Sequence, residues 1–536
     1  MSDSNVHIAS DTKKPVPIVT TNELTSNMWL YPSALSAVIS FVLSGATIAF
    51  VYLLTVSYPD TLPGPTWILA MISYMPLITA FLLFPHCLVQ TYAMSFVVLL
   101  TIWLMYPQAV QVPIYVGVPF GLGFFVLTSL SVHLWSRRFQ TDEMLGIQWI
   151  VRYSCMFMIT AYTINMVYGN LVSHAIQLFR VPFLLQPISI FGFGSVEFLL
   201  ILTNACLAWW IYASVKTRRI LPIDFGALDG ETRLARSKRF FCNPIILLIS
   251  SWILWVSIAG IVKASHTIDS NSRVVVATVG GVPFSDVEAA TELGMQIAIQ
   301  AKRTGATFIV TPEFSLQADF HQSCESLIVN HLYPQISGLG LHVVVGCFQR
   351  TNKRCSQENL AITLSPQGRI LGVHGKLQPT PGEQSCYQPG VSVQTIPYDD
   401  ATHRPSFGIS ALICYDMDFL GPTAQAADMG ASLILNPAND WLGVRHHYAV
   451  LVIRAIENRV AIVKAERNLD PAIVDPFGNI IALGTKRNPY ISGQVHFSTP
   501  LKISWIRQHM IYWICILMYA VFISMDIIRV YKRRYQ

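Results

Sequence analysis

TFIVTPEF (307–314), ILGVHGK (370–376) and SALICYD (410–416) are three apolar runs, each leading to one chemically useful side chain: Glu313, Lys376 and Cys414. Short β-branched runs of this kind read as buried strands. A polar residue at a strand's end projects where the sheet meets its loops. A thiol there needs a base to become a nucleophile and a cation to hold the oxyanion it creates. Glu313 suits the base, Lys376 the cation and Cys414 the nucleophile.

Working outward, the surrounding block alternates strands and helices. Strands are expected at Arg273–Val279, Thr307–Thr311, His342–Phe348, Asn359–Leu364, Ile370–His374, Phe407–Cys414, Ser432–Asn436, Val460–Lys464, Ala472–Val474 and Ile480–Leu483. Helices are expected at Asp286–Lys302, Pro422–Met429 and Arg445–Asn458. Such alternation, mixed with hairpins, predicts an α/β domain of αββα-sandwich type over residues 264–501. At about 240 residues it is large enough to bury its own core. No GxGxxG or Walker loop is present, so neither a nucleotide nor nucleic acid is expected as a partner. No CxxC pair occurs, so no metal site is expected, and no cofactor is called for.

The rest of the chain is different. Over 536 residues it is 52% hydrophobic and 12% charged, against about 25% charged for a soluble domain. Seven spans are expected before the α/β block: Ser33–Leu54, Pro65–Phe84, Leu88–Pro107, Val112–Trp135, Ile147–Tyr168, Gly194–Ala213 and Asn243–Val262. Arg152 and Asn165 interrupt the fifth. An eighth, Met510–Val530, follows. The fold class is thus a polytopic α-helical membrane domain plus the α/β domain. Residues 1–32 form a polar cytoplasmic tail, 33–263 the seven-span domain, and 502–536 the closing helix with a basic tail. Lys and Arg cluster in the amino-terminal tail, at 137–138, at 216–239 and in the carboxyl tail. All four fall on one side if the amino terminus is cytoplasmic, which puts the α/β block on the other. Glu197, within the sixth span, reads either as a functional intramembrane carboxylate or as an interfacial Glu. The preceding QPISIFGFGSVEFLL suits a re-entrant or surface-lying segment where lipid enters.

The order Glu313, Lys376, Cys414 resembles the catalytic set of the nitrilase (carbon–nitrogen hydrolase) superfamily. With the spans, the resemblance narrows to its membrane branch, the apolipoprotein N-acyltransferases. KLQPTPGE (376–383) resembles that family's Lys…Pro-x-Gly-Glu loop, which makes Glu383 an accessory carboxylate. CYD resembles its Cys-Tyr-Glu, placing Tyr415 and Asp416 beside the nucleophile, with Asp416 where Glu is more usual. NDWLG (439–443) and RAIENR (454–459) resemble two further stretches, and Asn439, Trp441, Arg454 and Glu457 are expected as structural supports.

The resemblance implies acyl transfer from a phospholipid donor, through a Cys414 thioester, to a primary amine. In the family that amine is the amino terminus of a diacylglyceryl-cysteine lipoprotein. It also implies a multi-pass protein with its catalytic domain on the non-cytoplasmic side of a bacterial inner membrane, or of a eukaryotic secretory or plasma membrane. The lipid bilayer is the expected setting and a monomer the expected state. Two other readings stay open: a membrane-anchored amidase, and a non-catalytic membrane scaffold with a nitrilase-like domain.

Overall fold

A computed structural model of the chain describes residues 67–72, 74–83, 145–169, 173–217, 243–265, 273–279, 287–318, 322–350, 357–380, 383–384, 386–400, 403–440, 447–468, 470–485, 490–502 and 504–535. The first, third and fourth expected spans and Trp441 lie outside the described residues.

Two sheets lie face to face. The first contains β1 (Arg273–Val279), β2 (Phe308–Val310), β3 (Leu316–Ala318), β4 (His342–Arg350), β5 (Gln357–Leu364) and β6 (Ile370–Gly375). The second contains β7 (Thr395–Asp400), β8 (His403–Ala411), β9 (Ala431–Ala438), β10 (Ala461–Glu466), β11 (Ala472–Val474) and β12 (Ile480–Leu483). β13 (Tyr490–His496) returns to the first sheet, whose order is β13-β1-β2-β4-β5-β6, with β3 also on β4; the second runs β12-β11-β10-β9-β8-β7. The inter-sheet core joins Val276, Phe308 and Val344 to Ile409, Leu433 and Val463.

Four helices are labelled α1 (Met75–Leu83), α2 (Leu145–Tyr168), α3 (Gly194–Thr217) and α4 (Pro244–Ser265). Within the α/β domain follow α5 (Val287–Arg303), α6 (Leu420–Asp428) and α7 (Tyr448–Asn458), and α8 (Ser504–Tyr535) closes the chain. α5 covers the outer face of the first sheet through Ile297, Ala298 and Ala301. α7 covers the second through Val452 and Ile456, giving the expected αββα layering.

α7 is unusual in that all eleven of its residues are buried. Its second face meets Phe179, Leu185, Ile188 and Phe193, so one core runs from the second sheet into the helical region. Residues 182–193, which overlap the start of the QPISIFGFGSVEFLL stretch, form this joint. It forms two single turns, Pro182–Leu185 and Ile188–Phe191, and reverses at Gly192, whose φ is 74°. A Cβ there would sit 2.6 Å from Arg507 O, so glycine is required by both conformation and space. Gln186 donates to Phe477 O at 3.1 Å, and Arg459 to Ser189 Oγ at 3.1 Å.

Among the described residues, three helices are long and apolar enough to cross a membrane: Gly194–Val215, Pro244–Ser265 and Ser504–Lys532. α4 and α8 leave Ile253, Leu254, Ile261, Trp513 and Leu517 exposed. α2 matches the fifth expected span but is not among the three. Its Arg152 pairs with Asp526 of α8, at 2.8 Å and 3.0 Å, which is how the charge is carried among apolar helices. The second expected span is two pieces, Trp67–Ile72 and α1. Asn204 Oδ1 accepts the N–H groups of Tyr74 and Met75 at 2.9 and 2.8 Å, capping the break. Glu197 lies among the helices and not on the protein surface. It is 4% exposed, and Tyr512 donates to it at 3.0 Å.

Candidate active site

Glu313 follows β2, where the chain crosses close above β4. A Cβ on Gly346 would lie 2.3 Å from Pro312 O and 2.8 Å from the Glu313 Cα, so the approach needs glycine. The next residue, Phe314, takes a left-handed φ of 60°, turning the chain so that the Glu313 side chain lies buried at the sheet's edge. Asn359, the third residue of β5, donates to Glu313 Oε1 at 2.5 Å. Lys376 follows β6, and its backbone N–H donates to Asn359 O at 2.9 Å. Its ammonium donates to Glu313 Oε1 at 2.9 Å and to Glu383 at 2.9 and 3.1 Å. Glu383 is braced by the Thr380 N–H at 2.8 Å.

Cys414 stands three residues past the end of β8, not within the strand as expected. The ladder stops at Ala411, because Cys414 has a φ of 44° and opens a single 3-10 turn, Cys414–Asp418. Such a conformation at a non-glycine residue costs on the order of 1–3 kcal/mol and persists only where surroundings enforce it. Asp416 supplies much of that enforcement. Its carboxylate accepts from Ile413 N at 2.9 Å, Leu377 N at 3.0 Å and Gln378 N at 2.8 Å. The turn carrying the thiol is thereby tied to the loop carrying the ammonium. Tyr415 points into the inter-sheet core, edge-on to Phe419.

The three charges act on one another. Burial, and then Glu313, push the Cys414 thiol well above its ordinary range; Lys376 and the Asn439 backbone N–H pull the other way. Lys376 therefore favours the thiolate but does not outweigh burial and Glu313. Burial also raises the Glu313 carboxyl, against the pull of Lys376. Burial alone works to lower Lys376, but Glu313, Cys414 and Glu383 outweigh it and hold the ammonium charged. This is a thiol-bearing side chain beside a carboxylate of raised basicity and a fixed cation, an arrangement that can run acid–base and acyl chemistry.

A second cluster adjoins it. Cys414 donates to Asp440 Oδ1 at 3.7 Å, a long contact typical of sulfur. Asp440 also accepts from His447 Nδ1 at 2.7 Å and pairs with Lys464. His447 Nε2 lies 2.8 Å from Asp418, and the Asp440 N–H donates to Glu466 at 2.8 Å. Burial works to lower His447, but Asp418 and Asp440 raise it from 6.5 to about 10. A base raised on folding contributes stability that is whole below 6.5 and is lost as the pH rises through about 10. The thermal midpoint is accordingly expected to fall across that window, by the equivalent of roughly 5 kcal/mol. His447→Gln should flatten that dependence; a parallel decline in the variant would contradict it.

Residues 275–499 match the family described as carbon-nitrogen hydrolase. This α/β domain is a carbon–nitrogen hydrolase domain. The chain is also similar to curated proteins named apolipoprotein N-acyltransferase. One from Agrobacterium fabrum is 29% identical over 23% of this chain and 27% of its own length. One from Geobacter metallireducens is 28% identical over 26% and 30%, and "Apolipoprotein N-acyltransferase 2" from Treponema denticola is 25% identical over 24% and 29%. The match spans less than a third of the length of each. Among solved structures, an amidase from Nesterenkonia sp. is similar at 19% identity, covering 46% of this chain and 97% of that one, with a TM-score of 0.36.

The hydrolase domain brings Glu313, Lys376, Cys414 and Asp416 into one buried neighbourhood, with the half-buried Glu383 at its rim. Asn439 lies beside it, its side chain accepting from Asn468 at 2.6 Å. Arg454 and Glu457 stand behind the turn. Arg454 donates to Met417 O and Asp418 O at 3.0 Å each and to Glu457 at 2.7 Å, while Glu457 accepts from Phe193 N at 2.7 Å. Asn359, Asp418, Asp440, His447, Lys464 and Glu466 were not among the sequence candidates. Asp440 lies inside the NDWLG stretch already singled out; the others carry no motif of their own. Among the described cysteines, Cys324 and Cys347 form a disulfide, a pairing that spacing left open.

Proposed function

We propose that the protein is a membrane N-acyltransferase, moving a fatty acyl group from a phospholipid to a primary amine through a thioester on Cys414. The observation that carries this is the buried Lys376 ammonium held between Glu313 and Glu383, close enough to Cys414 for each to shift the other's proton affinity. Glu313 takes the Cys414 proton and the thiolate attacks the acyl ester carbonyl. Lys376 donates to the oxyanion. The ester C–O bond breaks, and Glu313 returns the proton to the departing lysophospholipid. An amine then attacks the thioester and leaves as an amide. The names of the relatives above point to an apolipoprotein as their acceptor, and a lipoprotein amino terminus is the acceptor proposed here.

The helical region supports a lipid donor. Three helices suit a bilayer in length and composition, and the hydrolase domain rests its α7 layer directly on that region. Burying an acyl chain gains about 0.8 kcal/mol per methylene. The polytopic arrangement read from the sequence, with domain limits at 33–263, 264–501 and 502–536, belongs to this proposal. So does the non-cytoplasmic placement of the active domain, which the Cys324–Cys347 disulfide favours because disulfides persist in oxidising compartments.

The competing reading is hydrolysis, which the carbon-nitrogen hydrolase match favours by name. Purified protein supplied with acyl-labelled phospholipid and a lipopeptide amine separates the two. Labelled amide is expected; ammonia released from amides, without labelled amide, would sink the transferase. The base assignment has its own test. A carboxylate must be ionised to take a proton, so the acylation rate should fall on the acid side with a midpoint above the ordinary 4.5. Glu313→Gln should slow acylation by about 10²–10⁴-fold and remove that limb. A variant keeping the wild-type pH profile would assign the base elsewhere.

A further inference from the structure

The Asp440 cluster has no task in the mechanism above, yet it touches the reacting sulfur. Asp440 Oδ1 receives the Cys414 S–H and the His447 N–H, and Lys464 holds the other oxygen. All of these side chains are buried. Acylation replaces S–H by S–C(=O). Oδ1 then keeps its charge but loses a donor on the side facing the thioester. An incoming ammonium offers both an N–H and a positive charge there, whereas water offers only the first.

We infer that Asp440 positions the acceptor, its carboxylate receiving the ammonium of the primary amine beside the Cys414 thioester and so favouring aminolysis over hydrolysis. The inference rests on the acyl-transfer reading. His447 and Lys464 keep Asp440 ionised well below the usual carboxylate range, against its burial, so it binds the ammonium without taking its proton. That proton goes to Glu313, whose carboxyl is raised. The freed nitrogen lone pair attacks the thioester carbon, and the C–S bond breaks with its electron pair on sulfur. A second N–H proton passes to the sulfur, restoring the thiol, and the third stays on the amide. Glu313 then releases its proton to solvent.

The test is a chase of the isolated acyl-enzyme of the full chain, formed from phospholipid and verified by intact mass. It is chased with butylamine, which is cationic at neutral pH, or with methoxyamine, which is not. In Asp440→Asn the KM for butylamine should rise about tenfold or more, and the amide-to-acid ratio should fall by the same factor. The chase begins from the acyl-enzyme, so any change in the acylation step does not enter it, and the methoxyamine reaction should be little changed. If the unpaired Lys464 prevents folding, the double variant Asp440→Asn with Lys464→Met carries the same expectation. Equal loss for both amines would make Asp440 a structural residue only. An unchanged partition would also overturn the inference, while leaving the transferase intact. A wild-type protein that forms no acyl-enzyme would overturn the transferase reading itself and this inference with it.

Discussion

Cys414→Ala is expected to abolish the acyl adduct and to lower amide formation by about 10⁴-fold or more, the scale of loss when the nucleophile of a covalent mechanism is removed. The other described cysteines of the hydrolase domain are Cys386 and the disulfide-bonded Cys324 and Cys347. The loss should be chemical and not structural. Cys414 gives up one long S–H contact to Asp440, and alanine inherits the same backbone strain at φ 44°. The thermal midpoint should therefore move by the equivalent of about 1 kcal/mol or less. Cys414→Ser makes the control sharper. A hydroxyl can keep the contact to Asp440, but it is a far weaker nucleophile at neutral pH, so it should be nearly as inactive. Substantial transfer by either variant, measured with labelled phospholipid, would remove Cys414 from the mechanism.

The second large effect concerns stability. Arg454 is fully buried, and its guanidinium satisfies two carbonyls of the Cys414–Asp418 turn as well as Glu457. Arg454→Ala leaves the Glu457 carboxylate buried without its cation and both carbonyls without donors. Breaking a buried pair in this way costs roughly 3–5 kcal/mol, read as a lowered thermal midpoint in detergent. Replacing Arg454 and Glu457 together by Met and Leu should not restore it. The Met417 and Asp418 carbonyls and the Phe193 N–H would still lack partners. An Arg454→Ala midpoint unchanged within the equivalent of 0.5 kcal/mol would show that the turn does not depend on this brace.

Arg454 also shows where sequence reading reaches and where it stops. The strands that carry Glu313, Lys376 and the Cys414 turn were legible because their apolar runs are short and β-branched. β7 was not, because Pro397 interrupts it; the structure puts it at the edge of its sheet, where a missing N–H is tolerated. β13 carries Gly493, whose Cβ would meet Ile481 Cγ2 at 2.9 Å, and its pattern reads as a weak strand without its partner β1. β3 is three residues with Gln317 at its centre, so it lacks the apolar run that marks the equally short β11.

The same limit applies at the site. Asp416 was placed beside the thiol by its motif, but its grip on the Leu377 and Gln378 N–H groups depends on two distant loops meeting. His447 lies just before a helix and reads as an ordinary polar residue until Asp418 and Asp440 are seen on its two nitrogens. Arg152 read as a flaw in a span because its partner, Asp526, lies 374 residues away. Strand and helix types follow from local pattern. Buried charge pairs follow from tertiary contact, which no local window contains.

The central claim is that Cys414 carries the acyl group in transit. Intact mass spectrometry of the purified full chain, after incubation with a phospholipid of defined acyl composition, tests it most directly. The expected result is a gain of one fatty acid less water, absent in Cys414→Ala and discharged when a lipopeptide amine is added. A wild-type mass that stays unmodified across several phospholipids, or an adduct that persists in Cys414→Ala, would contradict it.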